Sequence, residues 1–144
     1  MNIENILQTG ETQSIEFKKS LSLMKEVCAT LCAMLNTKIG TGMVLFGISP
    51  ENEVVGIDGN LDSMQKTLVQ HIRQKFDPSI ICFDKINDSE ICVIDILRWN
   101  KPLYLETIDR NGQKSKKFYI RSGNTSQELG LDEIGGYLKS RFLM

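Results

Sequence analysis

An apolar run in the first half of the chain limits the folds open to it. Met43–Ile48 contains no polar side chain, so neither face of this segment is suited to solvent. An uninterrupted run of that length predicts a central strand that is covered on both faces. No apolar run approaches the ~20 residues needed to span a bilayer, so the sequence does not predict a membrane protein.

Helical and strand-like patterns flank this segment. Helices are predicted from Ser20 or Ser22 to Leu35, from Leu61 to Phe76 (followed by Asp77-Pro78), and from Asp132 to Phe142 despite Gly135-Gly136. Strands are predicted at Ser14–Lys18, Val54–Ile57, Ile80–Lys85, Ile91–Leu97, Leu103–Ile108 and Lys117–Arg121. Hairpin turns are expected at Asn87-Asp88 and Asn111-Gly112. Without a regular βαβ alternation, these elements predict an α+β fold, with a mixed, largely antiparallel sheet covered by two to three helices.

Length and composition limit the functional classes. At 144 residues, 41% hydrophobic and 24% charged, the chain suits one globular domain over residues 1–144. Its net charge of −1 gives no long-range positive field, so affinity for nucleic acid must come from a local basic patch. The amino end lacks the basic and apolar regions of a signal peptide, and a cytoplasmic protein is expected. The four cysteines form no CxxC pair, which favours buried thiols over a zinc site.

The segment Gly10–Ser20, GETQSIEFKKS, carries the first candidate site. Its alternation of polar and apolar residues predicts a short strand with Glu16 and Lys18 on the face opposite the core. Glu11 precedes Glu16 by up to ~17 Å of extended chain, so both carboxylates can bind one Mg²⁺ or Mn²⁺ only if the chain curls back at Gly10–Gln13. A metal held there would activate water for phosphodiester hydrolysis, with Lys18 stabilising charge in the transition state. The alternative is that these residues form the solvated face of a strand.

A second candidate site is basic. Residues 110–121 contain no acid and carry a cationic set on a predicted hairpin: Arg110, Lys114, Lys116, Lys117 and Arg121. Such a hairpin projects cations toward phosphates, while Phe118 and Tyr119 offer aromatic surface to an unpaired base. One alternative is a charged edge strand that discourages aggregation. Another, for Arg121, is a set of hydrogen bonds that fix the turn at Ser122–Ser126.

Five segments, in this order, resemble those of the Schlafen AlbA-like domain. They are GETQSIEFKKS (Gly10–Ser20), CATLCAMLNT (Cys28–Thr37), VLFGI (Val44–Ile48), ENEVVGI (Glu51–Ile57) and YIRSGNTS (Tyr119–Ser126). The resemblance covers residues 10–126 and implies a single α+β domain that binds nucleic acid. In some members of the family it implies a metal-dependent endoribonuclease that acts on tRNA and other structured RNA.

The resemblance also implies roles for particular residues. Glu11 and Glu16 match the two glutamates that nuclease members use at their metal site, and Lys18 matches the lysine of the same motif. The third carboxylate is a departure, because Ser49-Pro50 stands where similar sequences have two aspartates. Glu51 is the nearest acid that can replace them as a metal ligand.

Three functions therefore remain open. The first is nucleic-acid binding, RNA being favoured over DNA, with Lys19 and the basic hairpin holding the backbone; its enzymatic form adds cleavage with Mg²⁺ or Mn²⁺. The second is a non-catalytic DNA-binding or transcription-regulatory module. The third is a protein-interaction domain. Two units embrace the substrate in nuclease members of the family, so the resemblance also implies a homodimer.

Overall fold

The computed structural model describes residues 2–20, 24–57, 59–75, 81–86, 91–96 and 101–142, and this part of the chain forms four helices and seven strands. The helices are α1 (Ile3–Thr9), α2 (Met24–Asn36), α3 (Leu61–Lys75) and α4 (Leu131–Arg141). The strands are β1 (Ile15–Lys18), β2 (Gly42–Phe46), β3 (Ile81–Ile86), β4 (Ile91–Ile96), β5 (Leu105–Ile108), β6 (Lys114–Ser122) and β7 (Thr125–Leu129). None of these helices is long and apolar enough to cross a membrane.

The strands divide into two sheets. The first has the order β1-β2-β4-β3, with β1 parallel to β2 and the other neighbours antiparallel. The second has the order β5-β6-β7 and is antiparallel throughout. The predicted α+β class is confirmed, as is the largely antiparallel pairing. Local patterns identified the hairpins, whereas their separation into two sheets depends on tertiary packing that no local pattern records.

β2 is the buried centre of the first sheet, as the apolar run predicts. Val44 and Phe46 belong to a core cluster that α2 and α3 complete. Leu45 belongs to a second cluster on the other face, together with Phe17 of β1 and the apolar side of α1. Helices therefore cover both faces of the strand, which explains why it has no polar position.

Asn36 ties the end of α2 to the second sheet. Its side chain is fully buried, and its Nδ2 donates to the carbonyl oxygens of Leu103 (2.8 Å) and Tyr119 (3.0 Å). Its Oδ1 accepts the N–H of Leu103 (2.9 Å), and its own carbonyl accepts the hydroxyl of Tyr137 from α4. A side-chain amide satisfies donors and acceptors at once, so a single residue fixes α2, β6 and α4 against one another.

The sequence did not predict two of these elements. α1 has only 7 residues, and a helix so short is marginal alone. Asn2 caps its amino end, where its Oδ1 accepts the N–H of Glu4 (3.0 Å). Packing against the second core cluster is what holds it in place. β7 is a mostly exposed polar strand that pairs with β6. The strand predicted at Val54–Ile57 is reduced to one bridge between Val54 and Ile48.

Both predicted hairpins form. β3 pairs with β4, although the turn predicted at Asn87-Asp88 lies outside the described residues, as does Asp77-Pro78. β5 pairs with β6 around Asn111-Gly112. There, Asp109 Oδ1 accepts the N–H groups of Asn111 (2.8 Å) and Gln113 (2.9 Å), and Gly112 adopts the positive φ (76°) that favours glycine.

Candidate nucleic-acid interface

The segment before β1 turns back on the strand. Thr12 and Ile15 exchange backbone hydrogen bonds of 3.0 and 3.4 Å. Glu11 thereby reaches alongside β1, where its Oε1 accepts the N–H of Phe17 (3.0 Å). Because β1 is an edge strand, this N–H has no neighbouring strand, and the carboxylate takes its place. The predicted curl is confirmed, and it brings Glu11 to the backbone one residue beyond Glu16.

Glu16 lies at the centre of an ion-pair network. Its Oε2 lies 2.6 Å from Nη2 of Arg121, and its Oε1 lies 3.3 Å from Nζ of Lys18. The same Nζ lies 3.4 Å from Oε2 of Glu26, in the first turn of α2. As predicted, Glu16 and Lys18 share one face of the strand. The network alternates two cations with two anions, so its charges balance.

Arg121 joins the two sheets. Its side chain is 1% exposed and extends from β6 to Glu16 on β1. Nη2 also donates to the carbonyl of Thr12 (3.2 Å), and Nη1 donates to Oγ of Ser126 (3.3 Å). Nε is buried and has no hydrogen-bond partner among the described residues. The bond to Ser126 agrees with the expectation that this arginine fixes the following turn, and the bond to Glu16 adds a second structural role.

A metal site of the kind the resemblance implies does not fit this arrangement. Both carboxylate oxygens of Glu16 are ion-paired with cations, and one oxygen of Glu11 accepts a hydrogen bond from a backbone N–H. A divalent ion would have to displace Arg121, leaving that guanidinium buried without its counter-charge. In the described part of the chain, no three His, Cys, Asp or Glu side chains are grouped for a metal. The catalytic roles of Glu11, Glu16 and Lys18 stay predictions.

A groove of about 600 Å³ lies beside the network. Its charged walls are Glu11, Lys18, Lys19 and Glu26. Lys19 also lines a second cavity of about 300 Å³ that reaches the start of α3, and Ser20 lines both. Since the two cavities share these residues, they are adjacent on the surface.

The predicted third acid, Glu51, is not among the residues that line the groove. It lies on the exposed turn after β2, whereas the buried Ser49 does line the groove and accepts the N–H of Glu53 at its Oγ (3.2 Å). Glu26 is the carboxylate that faces the groove from α2. Sequence reasoning missed Glu26 because its contact with Lys18 depends on how the helix packs. Its position in the first helical turn was the available signal.

Two lysines of the basic hairpin are paired with acids. Lys114 lies 3.6 Å from Glu106 of β5, and Lys117 lies 3.7 Å from Glu128 of β7. These acids fall outside the acid-free interval 110–121, and only the register of the sheet brings them near the lysines, diagonally across the strand pairs. Both pairs are substantially exposed, so each is weak and open to exchange with another anion.

The remaining residues of the hairpin differ in exposure. Arg110 and Lys116 are exposed, and within the described residues they form no ion pair. Phe118 is 1% exposed and packs between the rings of Tyr104 and Tyr137, with centroid distances of 5.4 and 5.9 Å. It therefore offers no surface to a base, whereas Tyr119, on the other face of β6, is only partly buried.

The described cysteines belong to the core. Cys28 and Cys32 are buried, and Sγ of Cys32 donates to the carbonyl of Leu103 (3.3 Å). Burial raises the pKa of the Cys32 thiol to about 12, so it is neither a nucleophile nor a metal ligand at neutral pH. The prediction of buried thiols is confirmed for this pair; the side chains of Cys82 and Cys92 lie outside the description.

These observations define a class: a two-sheet α+β domain with a polar groove beside an edge strand. The Schlafen AlbA_2 family profile matches residues 11–130, so the chain belongs to that family, which indicates a function related to nucleic acids. No curated protein matches the chain. The crystal structure of the DIP2311 protein from Corynebacterium diphtheriae is similar, at 17% identity and a TM-score of 0.59. The match covers 97% of this chain but 28% of that one, and at this identity it shows the fold alone.

Proposed function

We propose that the chain binds nucleic acid, RNA in preference to DNA, along the groove beside β1. The observation that carries this proposal is that the two cavities adjoin at Lys19 and Ser20, between Glu11 and the start of α3. An elongated polar surface suits a flexible polyanion better than a compact metabolite. Lys19 lies where the cavities meet, is exposed, and forms no ion pair within the described residues, so it is well placed to contact a phosphate.

Neutral polar side chains supply further contacts. Asn124 lines the first cavity, and Asn60, Ser63 and Thr67 line the second. Amides and hydroxyls of this kind make many of the contacts between proteins and the sugar-phosphate backbone. The pairing of Glu16 with two cations also neutralises an acid that would repel phosphate. Because the groove holds few unpaired cations, we expect the affinity to depend only modestly on salt.

Binding of labelled tRNA, titrated at several salt concentrations, tests this assignment. Lys19→Ala should weaken binding and lower the slope of log affinity against log salt by about one, because one fewer counterion is released. Lys139→Ala, at an exposed position of α4, is the matched control and should change neither quantity. If the two variants behave alike, the nucleic acid does not bind in this groove.

The basic hairpin is tested in the same assay. Replacing Lys114, Lys116 and Lys117 with Ala should lower both the affinity and the salt slope, because the hairpin then offers fewer cations to the backbone. If the affinity and the salt slope are unaltered, the hairpin does not contact the nucleic acid. A duplex DNA of equal length compares the two kinds of nucleic acid, and tighter binding of the DNA would favour the DNA-binding or regulatory module.

A metal-dependent endoribonuclease is the second candidate, and it requires the ion pair between Glu16 and Arg121 to open when a metal binds. One observation favours it: Glu11, Lys18 and Glu26 line the groove that would receive the substrate. Incubating tRNA with Mg²⁺ or Mn²⁺ and the wild-type chain, beside Glu11→Gln and Glu16→Gln, tests for cleavage. Cleavage that Glu11→Gln loses while remaining as stable as the wild type would establish the enzyme. Loss in Glu16→Gln counts only if that variant also stays folded, because its change opens a buried ion pair. Equal cleavage by all three would reveal a contaminating nuclease. No cleavage by any of them would favour a domain that binds nucleic acid without cleaving it.

We also propose that two copies of the chain associate. The resemblance to nuclease members of the family, in which two units embrace the substrate, supports this. Leu131, a large apolar side chain that is 90% exposed at the start of α4, is the position at which we test this association.

A further inference from the structure

A further concave site, separate from the two cavities of the groove, lies near the start of α2. This cavity, of about 630 Å³, is bounded by α2, α3 and the β5–β6 hairpin. Leu105 and Tyr119 supply apolar wall, and Lys25, His71 and Lys117 supply polar groups. Concave sites that combine apolar walls with a few polar groups are the usual form of small-molecule pockets. None of the proposed contacts in the groove uses this cavity.

The charged groups around the cavity supply both hydrogen-bond donors and acceptors. Lys25 and Lys117 line it together with Glu106 and Asp109, so cations and carboxylates are balanced. A neutral, flat group with both donors and acceptors along its edge matches this lining, because lysine can donate to its carbonyls and the acids can accept from its amino groups.

Tyr119 supplies the aromatic ring that such a group requires. Its neighbour Phe118 points to the opposite face of β6 and is sealed by two other rings, so only Tyr119 is open to the cavity. Burial raises the pKa of Tyr119, so its hydroxyl keeps its proton and remains a hydrogen-bond donor at neutral pH. Ile108 also lines the cavity and is 53% exposed, leaving apolar surface that a flat ligand would cover.

The cavity is close to the groove. Tyr119 precedes Arg121 by two residues on β6, about 7 Å along the strand, and Arg121 contacts Glu16 beside the groove. Lys25 and Glu26 are consecutive in the first turn of α2, and Lys25 lines the cavity while Glu26 lines the groove. A nucleic-acid strand whose sugar-phosphate backbone lies in the groove can therefore place one of its bases in the cavity.

We propose that this cavity binds a single unpaired nucleobase of the nucleic acid held in the groove. The inference rests on the proposed function and narrows its substrate class to nucleic acid with unpaired positions. In the bound state the base stacks on Tyr119 and covers Ile108, while Lys25 and the carboxylates contact its edge. Fully paired duplex cannot supply such a base without opening a pair.

Fluorescence of 2-aminopurine tests the inference directly. The probe is a single-stranded oligoribonucleotide with one 2-aminopurine, compared with the same strand annealed to its complement. Binding of the wild-type chain should change the fluorescence of the single strand, because the base stacks on the tyrosine ring. Tyr119→Ala should abolish this change and weaken single-strand binding about tenfold, the scale of one lost stacking contact. Tyr119→Phe should retain both.

Two further variants guard against misfolding. Ile108→Asp changes an exposed residue and should also lose the fluorescence change and the single-strand preference. Val55→Asp makes the same kind of change at an apolar residue that is 50% exposed and lines neither this cavity nor the groove, so it should behave like the wild type. An undiminished signal in Tyr119→Ala and Ile108→Asp would overturn the inference, as would equal losses of affinity for single strand and duplex.

The outcomes separate this inference from the proposed function. If Lys19→Ala weakens binding while Tyr119→Ala leaves the fluorescence change intact, nucleic acid binds in the groove and the proposed base pocket is wrong. If neither form of the oligonucleotide binds, both proposals fail. If free adenosine binds as tightly as the oligonucleotide and displaces it, the ligand is a nucleoside and not a base within a strand.

Discussion

Arg121 connects the two sheets through a guanidinium that is almost fully buried. Its partner Glu16 is 8% exposed, and the two lie in a direct ion pair of 2.6 Å. Burying two charges is costly, and that cost is offset only while each remains beside the other. The pair is therefore a specific constraint on how β6 meets β1. Removing one member alone leaves the other charge buried and unpaired, at the full desolvation cost.

Unfolding in urea, followed by circular dichroism, should reveal this asymmetry. Arg121→Met should lower the free energy of unfolding by about 3–5 kcal/mol, because it leaves Glu16 buried with only Lys18 beside it. Lys114→Met breaks an exposed pair with Glu106 and should cost no more than about 1 kcal/mol.

A double-mutant cycle provides the control. Glu16→Gln combined with Arg121→Met should cost less than the sum of the single changes, because both charges are then gone. Strict additivity, or an Arg121→Met variant as stable as Lys114→Met, would show that the pair does not link the sheets.

At the scale of elements, two glycine positions behave differently. At Gly42, which begins β2, an added Cβ would lie 2.9 Å from the carbonyl oxygen of Ser14 and 2.8 Å from Sδ of Met34. That carbonyl accepts the N–H of Met43 (2.9 Å), so the close approach is part of the pairing of β2 with the chain beside β1. At Gly136, inside α4, an added Cβ would meet nothing within 4 Å.

Alanine substitutions should therefore act in opposite directions. Gly42→Ala should destabilise the chain by about 1–3 kcal/mol, because backbone atoms have to move to admit the methyl group. Gly136→Ala should stabilise it by up to about 1 kcal/mol, since alanine favours the helix and nothing obstructs it. Thermal unfolding measures both. A stable Gly42→Ala variant would mean that the approach of Ser14 is looser than described.

Periodicity predicted the elements whose own residues determine them. β2, α2 and α3 each carry a continuous pattern, and Asn111-Gly112 specifies its turn chemically, so these follow from local sequence. α1 and β7 do not, because α1 depends on the core cluster beneath it and β7 on its pairing with β6. The predicted helix at the carboxyl end also forms, since its packing through Tyr137 outweighs the cost of two glycines.

The candidate site was predictable only in part. The curl that brings Glu11 to β1 was inferred from the requirement that two carboxylates converge, and the turn does form. The pairing of Glu16 with Arg121 was not foreseen, because the two are 105 positions apart and the contact requires the two sheets to meet. The acids that pair with Lys114 and Lys117 were missed for the same reason, since the register of the sheet brings them together.

At the scale of the whole molecule, we expect a dimer in solution. Size-exclusion chromatography with light scattering should give about twice the chain mass of 16.3 kDa at micromolar concentration. Leu131→Asp should shift the population toward the monomer, because it places a charge in the apolar surface at the start of α4. Lys139→Ala, on the same helix, should not. A monomer at every concentration would contradict the association.

The long separation between Glu16 and Arg121 also has a consequence for synthesis. A ribosome that adds roughly 5–20 residues per second delivers the arginine about 5–20 s after the glutamate, which is 105 positions earlier. Throughout that interval the carboxylate on the nascent first strand has only Lys18 to pair with. We therefore expect this strand to reach its final packing only after β6 has been synthesised.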